Sequence, residues 1–175
     1  MRNRNSTLVA LSTLLLALPL TAAAQSETQL VDNYKSFSGS DANAKSLVDG
    51  LRDSKQVTLT DGKTTTTFTP PTRKMGNGNV NIALALTEAK LKEQGITNPT
   101  PDQLKSALGD ILQQRADGKG WGQIANGMGM KLGDVMRAEK AERVARAERH
   151  ERAERPERPE KPEKPEKPEK PERAR

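Results

Sequence analysis

Apolar side chains change their spacing several times along this chain, and each change predicts a different element. Leu8 to Leu20 is a nearly unbroken apolar run that includes Leu14, Leu15 and Leu16. From Gln25 to Ser40 the chain is polar, with Leu30, Val31, Tyr34 and Phe37 spaced as one helical face until Ser38-Gly39-Ser40 ends it. Leu47, Val48 and Leu51 predict a short helix over Asp41 to Leu51, capped by Ser40 or Asp41 and weakened near its end by Gly50. Over 56–69 the period falls to two. Val57 and Leu59 alternate with polar residues, Asp61-Gly62 interrupts, and a threonine run leads to Phe68 before Pro70-Pro71. Asp-Gly between β-formers predicts a hairpin with a two-residue type I′ turn. In that register Thr60 faces Lys63, and Val57, Leu59, Thr64, Thr66 and Phe68 share one side.

Helical spacing returns after the Met75-Gly76-Asn77-Gly78 loop. Asn79 or Asn81 is the expected cap of a helix running to Gln94, with Ile82, Leu84, Ala85, Ala89 and Leu91 as its apolar positions and Gly95 as its C′ residue. Thr100, Pro101, Asp102 and Gln103 form a capping-box start, and Leu104, Ala107, Leu108, Ile111 and Leu112 carry that helix to Asp117-Gly118.

The predicted fold class is mainly α with one β-hairpin: a small helical domain, then an extended helix and a polyproline-type charged tail. The expected boundaries are a leader at 1–24, a polar segment at 25–39, a small α-rich domain at 40–136, a charged helix at 137–155 and a repeat tail at 156–175. In the leader, Arg2 and Arg4 precede the apolar run, and Thr21-Ala22-Ala23-Ala24 supplies small residues for cleavage after Ala24. The run of 13 residues is shorter than the roughly 20 of a spanning helix. The expectation is therefore an exported protein, periplasmic or secreted, with no transmembrane segment after cleavage.

Composition narrows the function classes. Hydrophobic residues make up 33% of the chain and aromatics 2%, which predicts a modest core. Without cysteine there is no disulfide, thiolate metal site or cysteine nucleophile. The net charge of +6 is unevenly placed, since residues 137–175 hold 14 basic and 11 acidic side chains. A nearly neutral domain is a poor nucleic-acid surface, so nucleic acid is not the expected partner. Gly62-Lys63-Thr64 suggests a phosphate loop, but that motif needs glycine at position 57, where Val57 stands. His150 stands between Arg149 and Glu151 in the repeat, Asp61, Asp110 and Asp117 stand alone, and no calcium-loop spacing occurs. No cofactor, metal or catalytic residue is expected, and the protein is read as not an enzyme.

The segment from Trp121 to Val135 carries the one suggestive motif. Ala125 lies four residues before Gly129 and Val135 six after it, with Ile124, Met128 and Met130 beside them. This spacing resembles the core of the helix-turn-helix family, with 101–116 as the supporting helix. The resemblance implies base-reading residues at the start of the second helix, but Lys131-Leu132-Gly133-Asp134 offers no Arg, Asn or Gln pair for that task. Gly118-Lys119-Gly120-Trp121-Gly122-Gln123-Ile124-Ala125 is also similar to a segment of small exported proteobacterial proteins of unassigned function. That likeness implies no activity. Trp121, with Gln123 and Lys119, is the candidate contact for a ligand or partner; plugging the small core is the alternative role of Trp121.

From Glu139 onward the chain repeats Glu, a basic residue, then Ala or Pro. Before Pro156 the spacing sets Glu four residues ahead of Arg, as in Glu139–Arg143 and Glu142–Arg146, which supports a solvated helix without a broad apolar face. From Pro156 the three-residue period matches polyproline II, whose rise would span roughly 50 Å by Pro171. Lys161, Lys164, Lys167 and Lys170 then form a cationic stripe for an anionic envelope component or a protein partner. The leading expectation is an exported, non-enzymatic envelope or secreted protein with a charged spacer or tether. The alternatives are a helix-turn-helix DNA-binding protein and a small ligand-binding protein with a cleft near Trp121.

Overall fold

Ser40 starts the first capped helix: its hydroxyl accepts the Asn43 N–H at 3.1 Å and satisfies a donor the helix cannot. The computed structural model describes residues 21–154. These residues form α1 (Thr21–Tyr34), α2 (Asp41–Asp53), β1 (Val57–Thr60), β2 (Thr65–Phe68), α3 (Asn77–Glu93), α4 (Pro101–Ala116), α5 (Trp121–Gly127) and α6 (Leu132–Glu154). The protein is mainly helical with one two-stranded antiparallel hairpin, as the sequence predicts. No helix among the described residues is long and apolar enough to cross a membrane.

The hairpin register differs from the expected one. Thr60 pairs with Thr65, Leu59 with Thr66 and Val57 with Phe68, so the loop is Asp61-Gly62-Lys63-Thr64. A type I′ turn needs positive φ at both central residues. Gly62 supplies it at 87°, but Asp61 does not. The Asp61 carboxylate instead accepts the Lys63 and Thr64 N–H groups at 2.8 and 2.7 Å, which closes a wider loop. The slip is two residues, so Val57, Leu59 and Thr66 stay on the buried face. Gly50 lies within α2, which runs on to Asp53, and has a packing reason: it is buried where β1 crosses α2, and a Cβ there would overlap Val57 Cγ2.

α3 packs against α1, α2 and α4. Every residue from Ala83 to Glu88 is buried, and so are Val80 and Leu91. α3 is therefore a central helix, buried on several sides; of its expected apolar positions Leu84, Ala85 and Leu91 are buried, while Ile82 and Ala89 are corrected to half-buried. Its start is corrected too. Gly76 is the N-cap and makes no side-chain cap bond, because both asparagines expected there are engaged elsewhere. Asn81 Oδ1 accepts the Tyr34 hydroxyl at 2.9 Å, and Asn79 Oδ1 accepts the Trp121 indole N–H at 2.9 Å.

Three helices end in the same way. Past α3, Gly95 and Ile96 donate to the Lys92 and Leu91 carbonyls at 2.9 Å. Gly118 with Lys119 repeats the paired bonds after α4, and Gly129 with Met130 after α5. Each glycine has positive φ, as this termination requires. α4 begins with the capping box expected from Thr100 and Gln103. Residues 25–39 are not a polar preface to the core, since Leu30, Tyr34 and Phe37 are buried in it and Glu27 pairs with Arg52.

The chain divides into two units, 1–139 and 140–175. The first holds the core just described, from Leu30 to Val135. In the second, the described residues are helical to Glu154, and the Arg146 guanidinium lies 3.3 Å from Glu142 at the expected four-residue spacing.

Candidate functional site

Trp121 is the first residue of α5, and the chain enters that helix through Gly120. The Gly120 N–H donates to Gln123 Oε1 at 2.8 Å, so the Gln123 side chain reaches back to cap its own helix. This leaves the indole facing inward. Trp121 is 9% exposed and belongs to the core cluster with Ile124 and Ala125. Its N–H meets Asn79 at the start of α3, and the Arg115 guanidinium lies 5.0 Å from its ring centroid. Arg115 is held in turn by donating to the Lys119 carbonyl at 2.8 Å.

The three candidate contact residues therefore do not converge. Trp121 closes the core between α3, α4 and α5, Gln123 caps α5, and the exposed Lys119 ammonium lies 3.1 Å from Gln114 Oε1. Of the two roles open to Trp121, the structure supports the plug. Arg115 and Asn79 complete the cluster but have no sequence signature, because they approach Trp121 only once α3 and α4 are packed. The cationic stripe at Lys161, Lys164, Lys167 and Lys170 lies outside the described residues.

A cleft of about 160 Å³ opens elsewhere, between the end of α3 and the face of α4. Leu91, Ile96 and Ala107 supply its apolar lining, and Lys90 and Asp110 close an ion pair of 2.8 Å beside it. Gln103, also on its lining, is engaged through Oε1 by the Thr100 N–H at 2.8 Å.

Gly62-Lys63-Thr64, the segment with partial phosphate-loop character, forms the hairpin loop. The Asp61 carboxyl is held below its ordinary value chiefly by the N–H of Thr64, then by that of Lys63. Among the described residues, no group of three or more His, Cys, Asp and Glu side chains is placed to hold a metal. The helix–turn–helix segment forms as α5, a turn through Gly129 at φ 77° and α6. Lys131, Gly133 and Asp134 are exposed at the start of α6 and Leu132 is half-buried.

No known protein family, curated protein or solved structure matches this chain.

Proposed function

We propose that this is an exported, non-enzymatic envelope protein whose small helical domain is joined to a charged spacer or tether. The carrying observation is the change of character along α6. Its first turns contribute Val135 to the core, whereas beyond Glu139 the same helix alternates glutamate with arginine, with Val144 its one large exposed apolar side chain. A helix of that composition has no apolar stripe with which to join a core, and the proline-rich repeat that follows extends the pattern. The polar groups around Trp121 favour a structural role for the domain, because Asn79, Gln123 and Arg115 are each engaged by neighbours within it. The leader supports export with cleavage after Ala24. Leu30, the first residue of the core, lies beyond that point.

The test has two readouts on one preparation. N-terminal sequencing of the exported protein should begin at Gln25. The full chain should sediment with vesicles containing an anionic lipid, while a variant truncated after Ala153 should lose that association. Cytoplasmic protein retaining Met1 would sink the export reading, and equal sedimentation of the truncated variant would sink the tether.

A further inference from the structure

Removal of the leader after Ala24 gives the exported chain a new first residue, Gln25, which falls inside the span of α1. The residues that follow tie this end to the domain. The Glu27 carboxylate pairs with the Arg52 guanidinium in the last turn of α2, and both side chains are half-buried. Thr28 and Gln29 are exposed, and Leu30 is the first residue of the core. Loss of Gln25, Ser26 and Glu27 from a free N-terminus would therefore leave the core residues in place and strip Arg52 of its carboxylate.

We propose that Gln25 of the exported chain closes to a pyroglutamate, and that the closed end shields the Glu27–Arg52 pair from aminopeptidases. The proposal rests on the export reading, since only cleavage after Ala24 makes Gln25 terminal. A terminal glutamine carries both reactants in one residue. Its α-amino nitrogen attacks its own side-chain Cδ, the N–Cδ bond forms and the Cδ–Nε2 bond breaks. The departing nitrogen leaves as ammonia with a proton from the amine, so nothing is oxidised or reduced and no co-reactant is consumed. α-Amino groups titrate near neutral pH, which keeps part of the population as the free nucleophile. Holding amine and amide in one residue raises their effective concentration. Closure also removes a positive charge from the N-terminal end of α1, where the helix macrodipole disfavours it. Asparagine, one methylene shorter, would have to close a strained smaller ring.

The test measures the intact mass of the exported chain, held at neutral pH until that mass is constant. Its first peptide is sequenced by tandem mass spectrometry, which reads through a closed terminus. The expected mass is that of residues 25–175 less one ammonia, with the loss confined to Gln25. The Gln25→Asn variant should show no such loss. Incubated with an aminopeptidase that requires a free α-amine, the exported protein should keep its mass, while Gln25→Asn should be trimmed through Glu27. A chain starting at an open Gln25 would overturn the proposal and leave the export reading standing. A chain retaining Met1 would overturn both. Equal resistance of Gln25→Asn to the aminopeptidase would overturn the shielding role, because α1 would then protect itself.

Discussion

Two glycines with similar sequence surroundings have opposite structural meanings. Gly50 lies where β1 crosses α2, so Gly50→Ala forces its methyl against Val57. It should destabilise the domain by about 1–3 kcal/mol in urea unfolding. Gly109 sits inside α4 with open space where its Cβ would be. Gly109→Ala should stabilise by about 0.5–1 kcal/mol in the same measurement, because only the backbone-entropy cost of glycine is removed. Asp61 acts through charge. Its folded carboxyl is held below the ordinary value by the Thr64 and Lys63 N–H groups. A carboxyl depressed in the folded state contributes stability above its unfolded value and loses it as pH falls through the folded value. The amide resonances of Lys63 and Thr64 should therefore titrate together below the ordinary carboxylate range. In Asp61→Asn that step should vanish from the NMR titration. Neither glycine's role is legible from composition or spacing, since each depends on what lies opposite it in space.

Helices with strong end signals were readable one at a time. Ser40, Thr100 with Gln103, Gly95 and Gly118 all act where local capping rules put them, because such bonds close within a few residues. The start of α3 was not readable. Asn79 and Asn81 are good caps in isolation, but Trp121 and Tyr34 arrive from 42 and 47 residues away and take both side chains. Asn79→Ala should cost about 1–3 kcal/mol by leaving the buried indole N–H unpaired. Trp121 emission should shift accordingly on thermal or urea unfolding at a lower midpoint than in the parent protein. The hairpin repeats the lesson at smaller range: strand composition predicted the two strands, while the Asp61 carboxylate decided how wide their loop would be. A carboxylate that bonds two successive N–H groups overrides the two-residue turn that Asp-Gly favours.

At the scale of the whole molecule, the core ends near Val135 and the charged repeat begins at Glu139. Truncation after Glu139 should leave the thermal midpoint of the domain within about 2 °C of the full chain in calorimetry, because residues 140–175 form a separate unit. A larger drop would mean that the repeat stabilises the fold. The sequence by itself determined which segments are helical, where most of them stop, that one hairpin interrupts them, and that the excess positive charge belongs to the repeat. These properties depend on neighbours within about one helical turn or on strand alternation, so they survive without tertiary contacts. Only the tertiary structure decided that residues 30–37 belong to the core, that α3 is buried on several sides, that Trp121 faces inward onto Asn79, and that α2 bonds one edge of the hairpin through Asn43. Each of these depends on a residue far away in the chain, and packing alone selects which distant partner fills the space or meets the hydrogen bond.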